Sequence, residues 1–341
     1  MEALVITEVG QSRIQAVEEV SPGAGEVLLQ VNHVGLCGSD LNTYRGANPL
    51  AELPRIPGHE IGATILATAS DVPEEFAIGR QVIVVPYTEC GQCSSCRKGR
   101  RNACRYNKTL GVQQHGGMSE RLVVRHDRLI LNDTLPAHRL ALVEPLSVGF
   151  HAVERAGVAA GDTVVVLGAG MIGVGAMIGA LQRGARVLAV EVSDSKRDTL
   201  LGLGVEQVIN PLSENAEEAV NALTRGDGAD VVIEAVGLPE TFRGAIDMVC
   251  FAGRVVYVGY AKAEVSYDTK YFNLKELDIF GSRNATRQDF NDVVSYLEEH
   301  GTTADTLISR VFPWAQADQA FDYWEGVRNT TFKVMIDLTH E

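Results

Sequence analysis

Residues 163–182 read TVVVLGAGMIGVGAMIGALQ, and the reading of this stretch decides the fold. Twenty uncharged residues lie between Asp162 and Arg183, enough to span a bilayer. The same apolarity suits a helix buried in a core. The glycines settle the matter, because Gly168, Gly170 and Gly173 fall where the strand TVVVL turns into a helix. In that context G-x-G-x-x-G is a dinucleotide signature. Gly168 makes the tight turn, Gly170 lets the backbone approach a pyrophosphate, and Gly173 lets helix pack on strand. The unpaired N–H groups of the helix start then face the phosphates. We therefore expect a buried nucleotide-binding unit and no membrane span.

Eighteen residues after Gly173, Glu191 closes the strand RVLAVE. A carboxylate there accepts hydrogen bonds from ribose hydroxyls and repels a 2′-phosphate. Val192 follows, where an NADP site wants a cation, while Lys196 and Arg197 are long enough to reach a phosphate. The expectation is NAD rather than NADP.

Working outward, segments from about 146 alternate strand and helix: TVVVL, RVLAVE, EQVIN, DVVIEAV, GRVVYVGY and LDIFGS, with helices between them. Six such strands predict a doubly wound parallel sheet. Residues 1 to about 145 read instead as short strands between turn signals, as in EVLLQVNHVGLC, RQVIVVPYTEC and SERLVVRHDRLI. After about 284 an amphipathic helix, DFNDVVSYLEEH, and a final strand, FKVMIDL, have no place in a six-stranded sheet. They are expected to rejoin the first lobe, giving domains of 1–146 with 285–341, and 147–284. With 341 residues, 45% hydrophobic and 22% charged, the chain has room for two cores.

Four cysteines fall within fifteen residues: Cys90, Cys93, Cys96 and Cys104, spaced C-x2-C-x2-C-x7-C. Without a secretory leader in MEALVITEVG, such a cluster reads as a closed thiolate cage for a structural zinc rather than as disulfides. The cations Arg97, Lys98, Arg100 and Arg101 suit its negative charge. A net charge of −14 excludes a nucleic-acid-binding finger. Cys250, in the apolar run IDMVCFAG, reads as a buried small hydrophobe.

A second set of donors is dispersed: Cys37 in GLCGSD, His59 and Glu60 in PGHE, and Glu144 in LVEPL. A thiolate, an imidazole and a carboxylate make a three-ligand zinc site with one position open for water or substrate. Singly, each has a structural reading, and Glu144 before Pro145 also suits a helix-start acid. Together, GLCGSD, PGHE, the four-cysteine lobe, VEPLSV and GAGMIG make the chain resemble the zinc-containing medium-chain dehydrogenases over essentially its whole length. The glutamate in the EPL segment resembles the polyol and sorbitol dehydrogenase branch. YRGANPLAELPRIPGHE, GVQQHGG and GSRNAT resemble bacterial sugar-acid dehydrogenases.

That resemblance implies a GroES-like, mostly β catalytic domain beside a Rossmann domain. It also implies two zinc ions per chain, one catalytic and one structural, with NAD as cofactor. Hydride would pass from a secondary alcohol of a polyhydroxylated small molecule to the nicotinamide. Ser39 would receive the alcohol proton, and Glu60 and Glu144 would alternate at the metal. Ile172, Val258, Gly259, Ser282 and Arg283 would complete the cofactor contacts with Lys196. Tyr44, His115 and Arg283 would surround the substrate, Arg283 as a two-point partner for a carboxylate. The family often has a histidine where this chain has Asn42, and glycines where it has Ala63 and Ala69. A cytoplasmic homodimer or homotetramer without nucleic-acid or membrane partners is expected. A threonine 3-dehydrogenase and a chemically inert nucleotide-binding protein are the alternatives.

Overall fold

The computed structural model describes residues 1–339, which divide into two compact units, 1–144 with 294–339 and 145–293. The first unit is built on strands. An antiparallel pair, β1 (Glu2–Glu8) and β2 (Gln11–Ala16), stands beside a seven-stranded sheet. The long strand β3 (Glu26–Gly35) organises that sheet, pairing with β4 (Glu60–Thr68) and at its start with β6 (Arg121–Arg125). Beyond β4 lie β5 (Gln81–Val84) and β7 (Leu129–Leu131). Alternation in β3 sends Val27, Leu29 and Val31 fully inside, as its period-two pattern predicts. The core they enter also holds Ile61, Ile65, Phe321 and Val334.

The second unit carries a six-stranded parallel sheet. Its strands are β8 (Thr163–Leu167), β9 (Arg186–Val190), β10 (Gln207–Ile209), β11 (Ala229–Glu234), β12 (Val249–Tyr257) and β13 (Asp278–Gly281). The spatial order β10-β9-β8-β11-β12-β13 reverses between β8 and β11, the doubly wound arrangement. Central strands are buried on both faces, so Val164, Val165, Val166 and Val231, Val232, Ile233 are all fully enclosed. At the other end of the chain, β14 (Ile308–Pro313) and β15 (Lys333–Asp337) enter the first unit's sheet, β15 running antiparallel to β3.

Four helices position the functional groups: α1 (Gly38–Tyr44), α2 (Ser94–Arg97), α3 (Ala137–Ala156) and α4 (Met171–Gln182). The helix α3 starts nine residues earlier than the change of texture at 146 suggests, with Pro145 inside it. Glu144 is therefore mid-helix, and its reading as a helix-start acid is withdrawn. Cys250 is also a correction: it is half-buried, because β12 bulges where Ala252 takes φ 54° and turns Phe251 outward. No helix among the described residues is long and apolar enough to cross a membrane.

Glycine lets α3 and α4 touch backbone to backbone within the second unit. A Cβ on Gly149 would lie 2.2 Å from the Ala176 nitrogen, and one on Gly175 would lie 2.4 Å from the Leu146 oxygen. Gly175→Val should therefore destabilise by about 1–3 kcal/mol or more through overpacking. Gly202→Ala, where a Cβ meets nothing, should be neutral or slightly stabilising. Urea unfolding of both variants checks this, and equal behaviour of the two would contradict the contact.

Candidate active site

The geometry of the first unit's site begins with Asp40. Its side chain is completely buried three residues into α1, and both its oxygens are used. Oδ2 accepts the Cys37 N–H at 3.0 Å and Oδ1 accepts the Gly58 N–H at 3.2 Å. One carboxylate thus ties the start of α1 to the loop that carries His59. The sequence reading missed Asp40, although an acid three residues after a helix-start residue is the local signal for such a cap.

That tie brings Cys37, His59 and Glu60 together, with one donor atom from each lying within 4.8 Å of the others. His59 is buried; its Nδ1 has no hydrogen-bond partner and lies 3.8 Å from Asp40 Oδ1. Burial disfavours the charged imidazole, yet the Cys37 thiol, Asp40 and Glu144 outweigh it and hold its pKa well above the ordinary value. Thiolate, imidazole and carboxylate are the donor types that a catalytic zinc takes, so the residues present fit that ion.

The two glutamates are held differently. Glu60 pairs with Lys333 at 2.6 Å, and Lys333 also donates to the Leu36 carbonyl at 2.9 Å. Both side chains are almost completely buried. Glu144 accepts a hydrogen bond from the Tyr87 hydroxyl. Burial raises its pKa, and Glu60 adds to the rise, while His59 opposes it. Lys333 and Tyr87 escaped the sequence reading. The signal for Lys333 was a lone cation opening the apolar strand KVMID.

Ser39 has its hydroxyl oxygen buried without a partner, beside these groups on α1. Two other expected substrate residues belong to this unit. The Tyr44 hydroxyl lies 2.6 Å from Asp322 Oδ1 and 2.8 Å from the Gly10 carbonyl oxygen, which compete for its one proton, and its ring stacks on Phe321, so we leave it out of the substrate set. His115 accepts the Ile56 N–H through Nδ1 at 3.2 Å and is exposed.

The cysteine cluster forms a second donor group, in which Cys90, Cys93, Cys96 and Cys104 also lie within 4.8 Å of one another. Zinc 2.3 Å from four sulfurs in a tetrahedron sets them about 3.8 Å apart. The Cys93 sulfur lies 3.5 Å from that of Cys96 and 3.9 Å from that of Cys104. The backbone N–H groups of Cys90 and Tyr106 donate to the Cys104 sulfur, and that of Cys93 donates to the Cys90 sulfur. Of the nearby cations, Arg97 donates to the Gln92 carbonyl, and Arg101 pairs with Glu89 while its charge also acts on Cys96.

In the second unit, Gly168 takes φ 91° after β8, and Gly170 caps α4. A Cβ on Gly173 would fall 1.9 Å from the Gly168 oxygen, which explains the third glycine. Ile172 sits in the first turn of α4. Glu191 is pinned at the end of β9, accepting the Ala169 N–H at 2.7 Å and the Ser193 N–H at 2.9 Å. Lys196 is folded inward onto the Ala169 carbonyl at 3.2 Å, and burial lowers its pKa. Val258 and Gly259 follow β12, and Ser282 and Arg283 follow β13. The Ser282 hydroxyl is buried without a partner.

Comparison with known proteins now bears on these sites. Residues 23–134 match the alcohol dehydrogenase GroES-like domain, and residues 172–299 match the zinc-binding dehydrogenase domain. L-galactonate-5-dehydrogenase of Escherichia coli K12 is 34% identical over 301 residues, 88% of each chain. This chain belongs to the zinc-containing medium-chain dehydrogenases, in the polyol and sugar-acid branch. A sorbitol dehydrogenase of Halalkalibacterium halodurans is 32% identical over 94% of this chain and 95% of its own. Among solved structures, an E. coli CFT073 alcohol dehydrogenase complexed with NADH matches with TM-score 0.91 and 27% identity over 99% of both chains. A Sinorhizobium meliloti zinc-binding dehydrogenase bound to NADP matches with TM-score 0.89 and 26% identity over 99% of both. The two units are accordingly a GroES-like domain and a Rossmann domain.

The buried pair supports a direct test. Lys333→Met strands the Glu60 carboxylate and should cost about 3–5 kcal/mol of unfolding free energy. Adding Glu60→Gln should recover a large part of that loss. A single variant as stable as the parent in urea would show that Glu60 has another counter-charge.

Proposed function

We propose that the chain is an NAD-dependent dehydrogenase that oxidises a secondary alcohol of a sugar acid or polyol to the ketone. The observation that carries this reading is the convergence of half-buried Cys37 with buried His59 and Glu60 in one donor group. When bound there, zinc would supply Lewis acidity that lowers the pKa of the alcohol. We assign the metal chemistry to residues 1–146 and 285–341 and the dinucleotide to residues 147–284.

Each residue then has a role. Cys37 and His59 hold the metal, fixed relative to one another through Asp40. Glu60, anchored by Lys333, and Glu144, anchored by Tyr87, are the two carboxylates available to the site. Ser39 Oγ, lacking any internal partner, accepts the hydroxyl proton of the substrate and passes it on. Asn42 cannot titrate, so that proton leaves through water or another group. In the second unit, the turn at Gly168 and Gly170 and the start of α4 receive the pyrophosphate. Glu191 takes the adenosine ribose hydroxyls. Ile172, Val258, Gly259, Ser282 and Arg283 line the rest of the cofactor.

The inward fold of Lys196 supports NAD over NADP, because its ammonium group is held on a backbone carbonyl near Glu191. The test is oxidation of hexonates, hexitols and threonine with each cofactor, followed at the nicotinamide absorbance. NAD should exceed NADP in kcat/KM by about tenfold or more, equivalent to about 1.4 kcal/mol. Glu191→Ala should narrow that ratio, mainly by weakening NAD use. A parent enzyme that prefers NADP would contradict the role of Glu191. Activity on threonine alone would overturn the substrate class.

A further inference from the structure

We propose that Arg55, with His115 beside it, receives the carboxylate of a sugar-acid substrate; this rests on the dehydrogenase reading above and selects hexonates within it. The starting observation is an arginine without a partner in an acid-rich chain, which holds 44 Asp and Glu against 30 Lys and Arg. Arg45, Arg80, Arg139 and Arg254 pair with Glu325, Asp133, Asp305 and Asp162 respectively. Among the described residues Arg55 pairs with no carboxylate, and its Nε is buried with no acceptor. A buried guanidinium nitrogen without an acceptor is an unmet donor that an incoming anion would satisfy.

The position of Arg55 is firmly set. Its backbone N–H and C=O both pair with Ile6, at 3.0 and 2.9 Å. The next residue, Ile56, donates its N–H to His115 Nδ1, so the ring proton sits on Nε2 while the imidazole is neutral. Partial burial, with the charge of Arg55, lowers the pKa of His115 from its ordinary value. Arg55 and His115 together offer N–H donors and no acceptor, the complement of an anion.

These donors are on the loop that delivers a metal ligand. The segment 116–118 clasps residues 56–58 through Gly116 to Ile56, Gly117 to Gly58 and Met118 to Pro57, at 2.8, 2.8 and 3.0 Å. His59 follows at once. His59 is four positions after Arg55, so their Cα atoms are at most about 14 Å apart. An arginine side chain and the roughly 6 Å between the carboxylate and fifth carbon of an extended six-carbon acid cover a gap of that size. One planar cation with one neutral donor matches a monoanionic carboxylate better than a dianionic phosphate ester. Arg283, the arginine first expected to grip the carboxylate, already makes an interaction of its own.

The experiment compares the zinc-loaded parent with Arg55→Met and Arg55→Lys. The substrates are galactonate, mannonate, galactitol and galactitol 1-phosphate, and thermal shifts are recorded with galactonate and with galactitol. The parent should favour hexonates. Arg55→Met should lower the hexonate-to-hexitol ratio of kcat/KM tenfold or more, chiefly through KM, and abolish the thermal shift with galactonate. Arg55→Lys should fall between the two. An unchanged ratio, a parallel loss on both substrates, a parent preference for the phosphate ester, or no galactonate-induced shift in the parent would each overturn the assignment. Should the parent bind galactonate through Arg55 yet oxidise nothing in the panel, the dehydrogenase reading fails and the carboxylate site stands.

Discussion

The buried carboxylate of Asp40 is the constraint on which the first unit's site depends. It spends one oxygen on the Cys37 amide and the other on the Gly58 amide. A charged group this deep is tolerated because N–H donors satisfy it. What it secures is proximity: two donor side chains from different parts of the chain, Cys37 just before α1 and His59 just before β4, are held close together. The pair Lys333–Glu60 repeats the logic from the opposite end of the chain, since β15 lies against β3 and carries Lys333 under Glu60. The C-terminal strand thus holds a residue of the donor group, Glu60, in place as well as completing the sheet.

The two donor groups have opposite designs. The cysteine cage is made from one local loop, and its four sulfurs leave no position for substrate. The Cys37 group is assembled from distant segments and supplies fewer donors, with an unpartnered serine hydroxyl at its side. A closed site contributes stability to its lobe, whereas an open one has chemistry to perform. The Rossmann unit shows a similar economy. Glu191 and Lys196 both engage Ala169, so the two residues proposed above to select the cofactor also brace the glycine turn.

What was legible in the sequence was local. The turn at Gly168 must bear a positive φ, and the helix behind Gly173 must approach closely, so glycine spacing announces both. Cysteine spacing announces the cage for the same reason. Asp40, Tyr87, Lys333 and Arg55 stayed hidden because their meaning lies in pairing, or in its absence, across the fold. Lys333 is 273 residues from Glu60, and no periodicity connects them. Helix α3 was missed because Pro145 looks like a boundary, while tertiary packing carries the helix through it. Tyr44 was assigned by resemblance to the substrate, yet its hydroxyl is consumed by Asp322 and Gly10.

The central claim is that one chain holds two independent metal sites, one closed and one open. Zinc content of the purified protein, measured by elemental analysis for the parent and for Cys37→Ser, tests this most directly. The account requires two zinc ions per parent chain and one per Cys37→Ser chain, with the cysteine cage still filled. One zinc per parent chain, unchanged by Cys37→Ser, would contradict it.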